Sequence, residues 1–204
     1  IEFHPENPSN TYVGLYGLNP SLVDGRGIVM KIGPTGRYLD HVLVDTFNTN
    51  ATGLKFDDHG NLWATGASNF NGGNFKCSIN KLDTLLNIIS QSRIGSSVSL
   101  IPFGLQVFNS NRLYLPLARG NISPVVVDPY LYWIDSSSNI LGVEDYGTPE
   151  REGTIDDLGI YEDKLFWYGT IDTLNPVIGL TDFVLKTDTS GKVEWRYLFD
   201  PSIP

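Results

Sequence analysis

One pattern recurs four times along the chain, beginning at Ile1, Leu54, Leu105 and Leu158, at spacings of 53, 51 and 53 residues. The copies read IEFHPENPSNTYVGLY, LKFDDHGNLWATG, LQVFNSNRLYLPL and LGIYEDKLFWYG. Each is a short apolar run, a polar turn and a second apolar run. The rest of each repeat has the same grammar: an apolar run (28–32, 78–82, 131–135, 183–186), a turn of Gly, Pro, Asp, Thr and Ser, then another run. Aromatic and β-branched residues alternate with polar ones, and no window of a dozen residues keeps a helical period. Each repeat therefore predicts an antiparallel meander of four strands, A to D. A repeat of about fifty residues made only of strands predicts an all-β β-propeller with one repeat per blade. The four blades are expected at 1–47, 52–94, 103–146 and 156–199, in a single domain.

The phase of the repeat bears on ring closure. Thr52-Gly53, Phe103-Gly104 and Asp156-Asp157 precede strand A in three copies, and the first copy lacks them. The fourth strand D ends at Phe199, so the repeats start and stop near blade boundaries with no overlap. Three arrangements fit: a complete four-bladed ring, part of a larger propeller, or a ring closed by self-association. The last is physically sensible because an exposed flat strand edge invites pairing.

Composition narrows the partners. The formal charge is −9, from 14 Lys and Arg against 23 Asp and Glu. Such a surface repels phosphates, so nucleic acid is not expected as a partner. No apolar run is long enough to span a membrane as a helix. Cys77 is the only cysteine, which excludes an intrachain disulfide and a cysteine-built zinc site. Asn50-Ala-Thr52 and Asn121-Ile-Ser123 are glycosylation sequons, and the chain begins with Ile. A secreted or extracellular glycoprotein is the expectation, with a cytoplasmic protein as the alternative.

Loop lengths are lopsided. The A–B and C–D turns are tight, whereas the B–C segments 17–27, 67–76, 118–130 and 170–182 are long, as are the D–A segments 45–53 and 146–157. In a meander the B–C and D–A connections leave from the same end, and binding residues concentrate on long loops carried by a rigid scaffold. Residues just before strand A would lie nearest a central channel: Thr52, Phe103 and Asp156, with Asp157 beside it. Around them the loops offer Tyr16, Asn19, Asp24, Arg26, Asn48, Asn69, Asn71, Arg119, Asp172 and Asn175. The ligand-binding candidates are Tyr16, Asn19, Thr52, Phe103, Arg119, Asp156 and Asn175. The candidates for catalysis are Asp156, Asp157 and Arg119. Two carboxylates pointing into one channel would repel, raising one pKa and making an acid; a capped D–A loop is the simpler reading of the same pair.

Gly53-Leu-Lys-Phe-Asp-Asp-His-Gly-Asn-Leu-Trp63 and Phe103-Gly-Leu-Gln-Val-Phe-Asn-Ser-Asn-Arg-Leu-Tyr114 resemble the blade signature of the SMP-30/gluconolactonase-like propellers, to which NHL-type repeats are also similar. The resemblance runs along essentially the whole chain and is one of fold. It implies lactone hydrolysis with a divalent metal on the channel axis, held by an early Glu, an Asn before a Gly-Leu and an Asp ending a strand B. The chain departs at those places. Thr52 and Phe103 precede the Gly-Leu pairs, and Leu15, Gly66, Leu117 and Gly169 stand at the strand-B positions. A hard cation wants six or more oxygens, so no metal and no cofactor is expected. The resemblance also extends to fungal propeller cyclases that work without a metal.

Other features have plain structural explanations. Asp57-Asp58-His59-Gly60 has turn composition, and His4, His41 and His59 form no Ser–His–Asp pattern. Trp63, Tyr114, Trp133 and Trp167 recur on strands, as packing between blades requires. Leu-Asn-Pro at 18–20 and 174–176 makes turns. Gly33-Pro-Thr-Gly36 is a hairpin turn and no phosphate loop, because no helix follows. The sequence therefore points to a propeller that binds a small molecule, glycan or protein on its long-loop face. The alternative is a divergent lactonase-like or cyclase-like enzyme acting at the channel.

Overall fold

A computed structural model describes residues 1–18, 25–44, 53–69, 73–95, 97–109, 111–122, 125–147, 153–172 and 180–199. These residues form strands and turns, and no helix occurs among them. The first sheet contains β1 (Glu2–Phe3), β2 (Thr11–Leu18), β3 (Gly25–Ile32) and β4 (Tyr38–Val44). The second contains β5 (Gly53–Phe56), β6 (Leu62–Ser68), β7 (Lys76–Leu82) and β8 (Ile88–Ile94). In the third, β9 (Ser99–Pro102) and β10 (Gln106–Asn109) precede β11 (Arg112–Ile122), β12 (Val125–Ile134) and β13 (Ile140–Asp145). The fourth is built from β14 (Gly153–Tyr161), β15 (Lys164–Asp172), β16 (Leu180–Asp188) and β17 (Val193–Leu198). Each sheet is an antiparallel meander in sequence order, as the repeat predicts; β9 adds a fifth strand to the third sheet by pairing with β11 beyond β10.

Turn chemistry fixes the register. In the tight turns an aspartate accepts backbone N–H groups two and four residues on. Asp57 does so from His59 and Asn61, Asp83 from Leu85 and Asn87, Asp135 from Ser137 and Asn139, and Asp188 from Ser190 and Lys192. These local bonds replace the ladder where it ends. The β14–β15 turn instead places Glu162 and Asp163 both at positive φ, the conformation that matches hairpin twist.

Packing follows chain order. β5 packs on β1 and β2; β9 packs on β6 and β7 while β10 meets β5; β14 packs on β10, β11 and β12. Among the described residues, three apolar clusters fill three junctions. Tyr12, Val29 and Val44 meet Leu54, Leu62 and Leu82. Trp63, Cys77 and Ile79 meet Leu105, Leu113 and Leu115. Tyr114 and Leu131 meet Leu158, Leu165 and Trp167. The first strands touch one another, whereas the last strands β4, β8, β13 and β17 are mostly exposed.

Sequence expectations about the long segments need correction: 17–27 and 170–182 are partly hairpin, with Gly17 paired to Arg26 and Asp172 to Leu180. The segment 118–130 is not one long loop. Arg119 pairs with Asp128 and Ile122 with Val125, so strands β11 and β12 run well into it. The β-branched run at 125–127 supplies the strand propensity that carries the hairpin this far. Asp156 and Asp157 likewise belong to β14 rather than to a D–A loop, because that strand already starts at Gly153.

Candidate functional site

In each sheet the A–B and C–D connections lie at one end, and the B–C and D–A connections leave from the other. That second end brings together backbone from neighbouring sheets. A Cβ on Gly53 would stand 2.9 Å from both the Gly104 carbonyl carbon and the Leu105 Cβ, so only glycine lets β5 approach this closely. The Thr65 hydroxyl donates to the Gly104 carbonyl at 3.4 Å, and the Gln106 side-chain amide donates to the Leu158 carbonyl. The starts of the second, third and fourth repeats are thus linked in succession.

Both described candidates in front of a strand A sit at interruptions of that strand. Phe103 is half-buried between β9 and β10 and donates its N–H to the Pro116 carbonyl at 3.0 Å. Asp156 is the extra residue of a β-bulge: Ile155 opposes Gly169 and Asp157 opposes Tyr168, with Asp156 between them. Both carboxylates are exposed, and the Asp157 Oδ1 accepts the N–H of Leu158 at 2.8 Å. Asp156 and Asp182 bear electrostatically on Tyr168; the Asp182 charge comes first, then desolvation, then its hydrogen bond, and together they raise the phenol pKa.

Arg119 belongs to a different cluster. Its guanidinium lies 4.9 Å from the Tyr130 ring centroid, a stacked cation–π arrangement. The Tyr130 hydroxyl donates to Asp145 Oδ2 at 2.5 Å, and Asp145 Oδ1 accepts the Gly147 N–H at 2.9 Å. Burial, the hydrogen bond to Asp145 and that carboxylate's charge push the Tyr130 phenol up to about 12, against the pull of Arg119. Tyr132 stands on the same face, its phenol raised by burial with Arg119 opposing. The Arg119 cluster therefore occupies the junction of the second and third sheets, at the end carrying the long connections. The Asp156 cluster lies on the fourth sheet, so the structure gives each candidate its own set of partners.

Tyr16 is exposed on β2, with its ring across the Cα of Gly25, where a Cβ would collide at 1.9 Å. Asn69, just after β6, has an amide oxygen that is buried without a hydrogen-bond partner. Tyr130, Asp145 and Asp128 escaped the sequence reading, because each looked like an ordinary strand or turn residue. Their chemistry emerges only once β11, β12 and β13 are in register. Asn19, Thr52 and Asn175 lie outside the described residues, as do Asp24, Asn48, Asn71 and the sequon residue Asn50. Asn121 lies in β11, with its side chain outside what is described.

The acidic turn is structural. Asp57 is buried, accepts the Trp63 indole N–H at 3.0 Å and the Asn61 N–H at 2.8 Å, and faces Lys81 at 3.4 Å. Burial alone would raise its pKa, but these donors and the Lys81 charge outweigh burial and hold it below the usual range. His4 Nδ1 accepts the Glu6 and Asn7 N–H groups, and His41 bonds the Tyr38 hydroxyl. Burial pushes the Cys77 thiol up to about 12, so it packs as a small apolar group. Among the described residues no three His, Cys, Asp or Glu side chains converge to hold a metal ion, and no helix is long and apolar enough to cross a membrane.

No protein-family model matches the chain, and no curated protein does. Among solved structures, the chain is similar to a conserved protein assigned as a lipoprotein from Clostridium novyi NT. That likeness has 12% sequence identity, covers 68% of this chain and 86% of that chain, and has a TM-score of 0.47. The gluconolactonase-like resemblance rests on its strand and turn residues.

Proposed function

We propose that the four sheets are blades of a β-propeller and that the protein is a binding module. Its ligand is a glycan or another hydroxyl-rich small molecule, held where the second and third sheets meet at the long-connection end. Support for the propeller comes from contacts between successive first strands, from exposed last strands and from sheets stacked in chain order. One observation carries the site: the unpartnered buried Asn69 oxygen lies at the same end of the same sheet pair as the Arg119–Tyr130–Asp145 cluster. An acceptor, a guanidinium donor, a carboxylate and aromatic surface within one junction suit a ring bearing hydroxyls.

A glycan array followed by thermal shift tests this reading. The expected result is an oligosaccharide that raises the wild-type melting temperature by several degrees. Arg119→Ala should bind it at least tenfold more weakly, on the order of 1.4 kcal/mol. An array without hits, or equal binding by Arg119→Ala, overturns the proposal. So does a hit that is lost on replacing exposed His59, which lies at the opposite end.

A further inference from the structure

The four repeats place an aromatic residue at one shared position on the second strand of the meander: Tyr12, Trp63, Tyr114 and Phe166. Opposite them across the ladder stand Lys31, Lys81, Trp133 and Lys186. Tyr12, Trp63 and Tyr114 are each 0% exposed, because the next sheet covers them. The covering sheet also satisfies their polar atoms. The Tyr12 hydroxyl and Lys31 Nζ both donate to the Thr84 carbonyl in the next sheet's turn, at 3.1 and 2.8 Å, and the Tyr114 hydroxyl donates to Thr189 at 2.8 Å.

The fourth sheet carries the same face without a cover. Phe166 is only half-buried; beside it Trp195 stands at 43% exposure and Tyr197 at 58%, with Tyr168 and Phe199 also exposed. Phe166 and Trp195 stack edge to face at 6.4 Å, and Tyr197 packs on Phe199 at 5.1 Å. Lys186 pairs with Glu194 of its own sheet at 3.0 Å. This is an exposed apolar patch of the kind that marks interaction surfaces.

The opposite face of the first sheet is bare in the complementary sense. Leu113, Leu115 and Leu117 are 0% exposed, pressed against the preceding sheet. Their counterparts are Thr11, Val13 and Leu15. Val13 is half-buried and Leu15 is exposed, with Ile28 and Met30 half-buried next to them. Among the described residues one sheet-on-sheet junction thus recurs three times, and its two halves stand uncovered on the fourth and the first sheet.

We infer that the open face of the fourth sheet docks the first sheet of a second copy of this chain, head to tail. The occupant follows from continuity with the internal junctions: the surface that fits an aromatic face of this type is the leucine-type face of a sheet of the same repeat, and the first sheet carries an unused one. In this junction the Pro34 carbonyl, at the turn position of Thr84 and Thr189, meets Lys186 as Thr84 meets Lys31. Two copies using both faces close into a two-fold ring of eight sheets.

Sedimentation equilibrium on the 204-residue chain tests the pairing. Wild type should run at twice the chain mass at tens of micromolar. Tyr197→Glu and Leu15→Glu each ruin one face at an exposed position. Each variant should keep its circular dichroism spectrum and dissociate at least a hundredfold more readily. Mixed together, the two retain one intact junction between them and should form a one-to-one heterodimer. A monomeric wild type overturns the inference, as do folded variants that still self-assemble or a mixture that stays monomeric. None of these outcomes depends on the ligand site, which lies at the second and third sheets.

Discussion

Trp63 and Phe166 occupy the same place in the repeat and live in different physical worlds. Trp63 is sealed between the second and third sheets, with its indole N–H on Asp57 and Lys81 Nζ 4.9 Å from its ring. Phe166 has a comparable cation, Lys186 at 5.7 Å, and a neighbouring aromatic, but no sheet above it. Side-chain chemistry at a repeated position does not decide its contribution to stability; the presence of the next sheet does. Burial removes apolar area from water in one case and leaves much of it exposed in the other.

Paired truncations make that comparison quantitative. Trp63→Ala empties a fully packed junction and should cost about 3–5 kcal/mol in urea unfolding. Phe166→Ala, measured on dilute monomer, should cost only about 1 kcal/mol, since its surface is already partly hydrated. Equal costs would show that the fourth sheet's outer face is covered in solution even at low concentration.

The polar support beneath Trp63 gives the second test. Asp57→Asn keeps the shape but removes charge-assisted bonds, and should cost about 2 kcal/mol at neutral pH. The folded carboxyl titrates below its unfolded value. Its stabilisation is therefore complete above the unfolded pKa, about 3.9, and is lost as pH falls through the lower folded value. Wild type and variant should converge as pH is lowered below 4 in thermal melts; a gap that persists at pH 2 would assign the effect to packing instead.

The smallest effect comes from the turns. Ser138 holds φ 65° where the equivalent turns of the first and fourth sheets have Gly36 and Gly191. Ser138→Gly relieves left-handed strain but frees the unfolded chain, for a net gain of about 0.5 kcal/mol. Calorimetry should show a rise of about 1–2 °C, whereas a fall would mean that the Ser138 side chain contributes more than its backbone strain costs.

Much of the architecture was legible because it is local. Alternating apolar residues and Asp- or Gly-bearing turns at fixed spacing specify the meander, and the structure returns all four with the expected turns. The β11–β12 hairpin is not legible in the sequence because Arg119, Asn121 and Asp128 resemble loop residues, while the pairing that holds them runs across strands, with β9 flanking β11. The bulge at Asp156 was hidden for a similar reason: a one-residue insertion changes the ladder but not the composition. The candidate site was legible only in part. Arg119, Tyr16 and Asn69 lie at the end the loop lengths pick out, but the partners that give Arg119 its setting come from strands distant in sequence.

By itself, then, the sequence determined the all-β class, the fourfold meander and the end of each sheet from which the long connections leave, since all three depend on period and turn chemistry within about fifty residues. Only the tertiary structure decided which copies of the shared aromatic are sealed, which carboxylates brace a turn or stand exposed on a bulge, and which face is left open. Those outcomes depend on what lies above each sheet, and a repeat that reads the same in every copy carries no record of its neighbour.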